Sequence, residues 1–173
     1  YNNRAEAYIE LGDWLSAVKD ITRSIELKPR DITLYFRRAE ALLSLGRFSQ
    51  AISDYTRAIE IDPLSADAYG GRAYAYAGAG RYKSAFPDYE AAIRLNPGSA
   101  LFYFNRGVAY SFTGLYEKAA SDYSKVIEID PDYPKAHFNR ALAYEKIGET
   151  ALFIKDLKQA ANARADHDAH ALG

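Results

Sequence analysis

The chain has 173 residues, 49% of them apolar and 26% charged, with a formal net charge of −1. That is enough apolar material for one sizeable core or one short repeat array, and it excludes a mostly disordered polypeptide. The near-zero charge supplies no global field for nucleic acid, anionic membrane or acidic substrates, and the lack of cysteine excludes disulfides, thiolate metal sites and cysteine nucleophiles.

Self-similarity is the dominant signal. Pro29, Pro63, Pro97 and Pro131 recur every 34 residues, and so do Gly12, Gly46, Gly80, Gly114 and Gly148. Arg4, Arg38, Arg72, Arg106 and Arg140 keep the same period, as do Asp20, Asp54, Asp88, Asp122 and Asp156. Each copy predicts two helices. The first carries apolar residues at helical spacing (Tyr69, Ala73, Tyr76) and stops at the glycine, which accepts the left-handed conformation of a helix terminus. The second pattern (Tyr116, Ala119, Tyr123, Val126) starts two or three residues later, so the two helices are antiparallel neighbours. It ends before the proline, which disfavours helical geometry in the residue preceding it.

In chain order, the first repeat spans residues 1–31. Its Tyr1 aligns with Tyr35, Tyr69 and Tyr103, so its first helix is clipped and the parent protein is expected to continue upstream. The second spans 32–65 and the third 66–99. The third carries Gly70, Gly71 and Gly78 in its first helix and Pro87 inside its second. Each glycine costs roughly 1 kcal/mol relative to alanine, and the proline removes a hydrogen bond. Two readings stand: a flexible joint with room for a bulky ligand group, or drift that the neighbouring repeats tolerate. The fourth repeat spans 100–133 and the fifth 134–167. In the fifth, Phe153 replaces a small residue, Ala165 replaces the proline, and the last helix is alanine-rich, as a solvent-facing end should be. Residues 168–173 are read as a polar tail or a helix stub. Small residues (Ala5, Ala39, Ala73, Gly107 and Ala141 against Ala17, Ala51, Ala85 and Ala119) mark where the helices of a pair approach most closely.

A 34-residue helical hairpin with these residues resembles the tetratricopeptide repeat (TPR) family. The third repeat supplies Tyr69, Arg72, Ala73, Tyr76, Gly80, Tyr82, Ala85, Tyr89, Ala92 and Pro97; the fourth supplies Tyr103, Arg106, Gly107, Tyr110, Gly114, Tyr116, Ala119, Tyr123 and Pro131. The resemblance covers residues 1–167. It implies an all-α fold, a right-handed superhelical solenoid of antiparallel helix pairs in a single array. Arginine stands where the family usually has leucine at the seventh position of every copy. A half-buried arginine needs a carboxylate partner, so each is expected to pair with one of the Asp20 to Asp156 series.

The resemblance also implies a concave face built by the first helices. Its ligand-facing positions here are Phe36, Arg37, Tyr74, Leu101, Phe104, Asn105, Val108, Phe112, Phe138, Asn139 and Leu142. The C-terminal half of this face reads as apolar and aromatic, with an asparagine in each repeat that offers a donor and an acceptor to a peptide backbone. Three phenylalanines (Phe36, Phe104 and Phe138) are expected to be exposed on it, which favours a covering partner. Packing against neighbouring repeats or a second copy is the competing reading. TPR domains that clamp acidic C-terminal tails resemble one another in carrying lysine and asparagine where this chain has Asn2 and Glu6, then Phe36 and Glu40; such a ligand is not expected.

No catalytic constellation, cofactor or metal is expected. His137 takes an aromatic core position. Asp166, His167, Asp168 and His170 offer ligands at one-turn spacing, but in a tail with nothing to orient them. Gly70, Gly71 and Gly78 lie within a helix and form no phosphate-binding loop. The expected function is a non-catalytic scaffold or adaptor that binds a protein or peptide segment, extended or helical, with no nucleic acid. Two alternatives remain: a self-assembly module forming a dimer or filament, and the targeting arm of a larger enzyme. No run reaches the roughly 18 apolar residues needed to span a bilayer. Compartment stays open between cytoplasm and periplasm, because an upstream signal or anchor is compatible with a chain that begins at Tyr1.

Overall fold

The computed structural model describes residues 1–133 and 135–170, with the side chains of all of these except Asn2 and 162–170. Among the described residues ten helices follow one another in five pairs: α1 (Asn2–Glu10) with α2 (Trp14–Leu27), α3 (Ile32–Ser44) with α4 (Phe48–Ile61), α5 (Ala66–Gly78) with α6 (Tyr82–Leu95), α7 (Ala100–Phe112) with α8 (Tyr116–Ile129), and α9 (Ala136–Lys146) with α10 (Thr150–His170). No strand occurs among the described residues. The chain divides into two compact units, Tyr1–Asn96 and Pro97–Gly173.

The periodic residues act as the sequence predicts. All five glycines of the 34-residue series have positive φ, from 68° at Gly46 to 82° at Gly148. Each sits just past a first helix, where the next amide reaches back to close the turn: Asp13 N–H donates to the Tyr8 carbonyl at 2.8 Å and Arg47 N–H to Leu42 at 2.8 Å. The small residues at the crossings are fully enclosed; Ala17, Ala39, Ala51, Ala73, Ala85, Ala119 and Ala141 expose nothing.

In the first unit the core runs continuously across three repeats. Ile21 and Ile25 of α2 pack with Leu34 and Tyr35 of α3, Ala58 of α4 and Ala68 of α5. A second cluster joins Leu42, Ile52, Tyr55 and Ala75, and Phe36 touches both. Within this unit the apolar face of one pair is buried by the next, which is the packing logic of a solenoid.

Gly71 and Gly78 of α5 have a packing cause, which at these two positions replaces both readings offered by the sequence. A Cβ at Gly71 would stand 2.4 Å from the Tyr55 ring, and one at Gly78 would stand 2.5 Å from the Phe48 ring. The aromatic rings of α4 lie on the backbone of α5, so these two positions carry no side chain because there is no space for one. Helix α6 runs unbroken from Tyr82 to Leu95 through Pro87, which lies on the exposed side.

Candidate functional site

All five arginines of the series meet the aspartate sixteen residues ahead, through Nε and Nη2 onto the two carboxylate oxygens. Arg38 holds Asp54 at 2.8 and 2.6 Å, Arg72 holds Asp88 at 2.7 and 2.8 Å, and Arg106 holds Asp122 at 2.8 and 2.7 Å. Arg4 with Asp20 and Arg140 with Asp156 repeat this geometry. Such fork-to-carboxylate bonds tie the first helix of each pair to the second. The Arg38, Arg72 and Arg140 guanidiniums also donate one bond backwards, to Thr22 (3.1 Å), Thr56 (3.2 Å) and Ser124 (2.9 Å) of the preceding repeat. The tyrosine three residues before each of the first four arginines places its ring under the guanidinium, at 5.7–6.0 Å. His137 takes that place in the fifth repeat and meets Asp156 at 3.3 Å instead. It therefore joins a structural carboxylate, in keeping with a packing role.

The residues assigned to a concave face divide by unit. In the first unit that face is polar. Arg37 forms an ion pair with Glu6 of the preceding repeat, and Glu40 is exposed beside them. Glu6 is therefore not the bare carboxylate that the sequence suggested. Asn2, the other residue of that comparison, has its side chain outside the described residues. Tyr74 is exposed.

In the second unit much of the same register is apolar, with exposed Lys135 and Lys146 at the places in the fifth repeat that Leu101 and Phe112 hold in the fourth. Leu101, Phe112, Phe138 and Leu142 are 51%, 73%, 45% and 40% exposed, with Asn105, Val108 and Asn139 half-buried among them. Helices α7 and α9, which carry these residues, are in contact. Arg106 of α7 and Arg140 of α9 are bound to their aspartates, whereas Glu145 and Lys146 at the end of α9 are exposed.

One expectation needs correcting. Phe36 and Phe104 are half-buried, unlike the exposed Phe138. Each leans onto the tyrosine of the second helix in its own pair: Phe36 onto Tyr55 and Phe104 onto Tyr123, both at 5.7 Å between centroids. The second ring offers more buried area than water does, so the fifth-position ring turns inward. Phe104 meets a further ring, Tyr133 of the α8–α9 loop, at 5.0 Å. Burial raises the pKa of the Tyr133 phenol. Sequence reading missed Tyr133, although its place in the series Asp31, Ser65, Ser99, Tyr133 marks it as the exception.

A polar cleft of about 440 Å³ beside α7 and α8 is lined by Tyr103, Arg106, Asp122, Lys125 and Glu128. Its charges are committed to each other, Arg106 with Asp122 and Lys125 with Glu128. No group of three or more His, Asp or Glu side chains able to hold a metal occurs among the described residues. The side chains of Asp166, His167, Asp168 and His170 lie outside the described residues. No helix among the described residues is long and apolar enough to cross a membrane.

Glycine-terminated helix pairs, stacked in register and pinned by one repeated ion pair, define a helical solenoid of the kind that presents surface to other proteins. Family models described as tetratricopeptide repeat match residues 2–66, 36–100, 88–120 and 134–167, and one described as TPR repeat matches 113–148; the chain belongs to the tetratricopeptide repeat family. That family is generally non-catalytic. Among solved structures, a crystal structure of MamA shares 24% identity over 98% of this chain and 99% of that one, with a TM-score of 0.89. MamA 41-end from Desulfovibrio magneticus RS-1 shares 19% over 97% and 95%, TM-score 0.88. YrrB, described as a TPR protein with an unusual peptide-binding site, shares 20% over 99% and 89%, TM-score 0.76. At these identities the likeness concerns the fold. No curated protein matches the chain.

Proposed function

We propose that the chain is an interaction scaffold that holds a peptide segment of a partner protein on the first helices of its second unit, without performing chemistry of its own. One observation carries this reading. Leu101, Phe138 and Leu142 stand exposed together, and Leu142 holds the place that Glu6 has in the first unit, where it pairs with Arg37. Apolar side chains ringed by half-buried amides are the usual anatomy of a peptide anchor site. The exposed apolar side chains call for an apolar anchor on the segment, because a buried charge without a partner is costly. Asn105 and Asn139 supply donors and acceptors for its backbone. The peptide-binding site of the similarly folded YrrB is consistent with this use.

The test is affinity capture with the wild-type chain and a Phe138→Ala/Leu142→Ala variant. Both residues are substantially exposed, so the variant should keep its helical content. A protein retained by the wild type and lost by the variant supports the reading. Equal capture by both baits would place binding elsewhere, and concentration-dependent mass in the absence of any captured protein would favour self-assembly.

A further inference from the structure

Glu6 of α1 and Glu40 of α3 hold the same place in the first and second repeats, 34 residues apart. Glu6 is matched by Arg37, which reaches it from the first helix of the following repeat. One repeat further on, the residue in the place of Arg37 is Gly71. Glu40 is exposed and forms no ion pair among the described residues. The first unit therefore carries one carboxylate with its guanidinium and a second, in the same register, without one.

The reason lies on the second helices. Where α2 has Ile21, α4 has Tyr55. The ring carbon of Tyr55 that bears the hydroxyl lies 2.5 Å from where a Cβ on Gly71 would stand, so no side chain can leave the α5 backbone there. Only the root of that side chain is obstructed. The head of an arginine sits several bonds from its Cβ, and a guanidinium that arrives from solvent does not have to pass the ring. Gly71 itself is partly exposed, which leaves the way open.

The groups around this vacant seat match a guanidinium. Tyr74 is three residues beyond Gly71 on α5, hence on the same face, and is 48% exposed. Tyr55 is buried, and its hydroxyl has no hydrogen-bond partner among the described residues, whereas the equivalent Tyr123 hydroxyl meets Ser111 at 3.3 Å. Burial and then the charges of Glu40, Asp54 and Tyr74 raise the pKa of the Tyr55 phenol, which places Glu40 and Tyr74 near it.

We propose that Glu40 and Tyr74, over the floor made by Tyr55, hold an arginine side chain supplied by a partner protein, in the relation that Arg37 has to Glu6. The carboxylate accepts two parallel N–H bonds, the Tyr55 hydroxyl oxygen accepts a third, and the Tyr74 ring covers the guanidinium face. Lysine fits less well, because a compact ammonium offers neither the planar fork nor a face to stack. The site belongs to the first unit and does not depend on the apolar face assigned to the second.

The probe is N-acetyl-argininamide, titrated against the full chain at low ionic strength, where exposed charges are least screened. NMR follows the Gly71 amide and the Tyr74 ring. N-acetyl-citrullinamide, of the same shape but uncharged, is the control. The arginine probe should shift both signals saturably, and the citrulline probe should bind more weakly by about fivefold or more. Glu40→Gln should weaken the arginine probe about fivefold and Tyr74→Leu about threefold. Both residues are exposed, so both variants should keep the fold. Unmoved signals, an equal response to the two probes, or a Glu40→Gln variant that titrates as wild type would each overturn the proposal. Phe138→Ala/Leu142→Ala should titrate as wild type; a weakened response there would move the probe to the second unit and overturn the assignment. Capture of a partner that depends on Phe138 and Leu142 tests the second unit separately, so either reading can fail without the other.

Discussion

Arg38 and Thr22, sixteen residues apart, meet at 3.1 Å across a repeat boundary while the same guanidinium grips Asp54 within its own repeat. The aspartate thus positions a group that joins two repeats. Asp54 is almost wholly buried, and removing it leaves a largely enclosed charge without its counterion. Asp54→Ala is expected to destabilise by about 3 kcal/mol, read as a lower urea midpoint. Asp20→Ala should cost visibly less, because Arg4 is 60% exposed and water can replace the lost carboxylate. Equal losses at the two positions would mean that the pairs matter by packing alone.

Acid should loosen the fifth repeat through Asp156. Burial by itself would raise this carboxyl's pKa, but the hydrogen bonds and charges of Arg140 and then His137 outweigh it and hold the pKa below the ordinary value. A depressed folded pKa means that the stabilisation is complete above the unfolded-state value and is lost as pH falls through the lower folded one. The thermal midpoint should therefore fall as pH drops through and below the usual carboxylate range. Asp156→Asn should start lower and decline less over that range. Parallel declines would assign the acid sensitivity to other groups.

Gly71→Ala separates propensity from packing. Alanine favours the helix by roughly 1 kcal/mol over glycine, yet its Cβ would meet the Tyr55 ring at 2.4 Å. Tyr55 is itself buried against Phe36 and has little freedom to retreat. A net loss of about 1–3 kcal/mol is expected, measured as a fall in thermal midpoint. Gly78→Ala meets Phe48, which is only partly buried and can swing outward, so its loss should be smaller. A stabilised Gly71→Ala would show that the ring yields.

Pro87 offers the opposite sign. It sits inside α6 on the exposed side, where it removes a helical hydrogen bond. Pro87→Ala should stabilise the chain by about 1–3 kcal/mol, seen as a raised urea midpoint with an unchanged slope. A neutral result would indicate that α6 is bent to suit proline and strained by its removal.

The repeat, its helix ends and the Arg–Asp pairs were all readable from the sequence, because each is set by a residue type at a fixed interval. Gly46 closes α3 for a local reason, and Arg38 finds Asp54 because the hairpin brings them together in every copy. What the sequence hid lies in the third dimension between copies. That Phe104 turns inward depends on the ring of Tyr123, and that Gly71 is bare depends on Tyr55; neither neighbour is marked by spacing along one helix. Tyr133 was hidden differently. It breaks a series, and a broken series shows only when Asp31 and Ser65 are recognised as the caps of α3 and α5.

The backward bond from Arg38, Arg72 and Arg140 bears on how such a chain lengthens. A 34-residue segment carries both halves of its own joint: an arginine that reaches the hydroxyl behind it, as Arg72 does to Thr56, and a hydroxyl that receives the arginine ahead, as Thr22 does from Arg38. Copying such a segment in frame, in tandem, therefore copies a working coupling. Insertion of any other length would leave an arginine facing the wrong side of its neighbour, so the chemistry of one side chain rules out every other increment of growth.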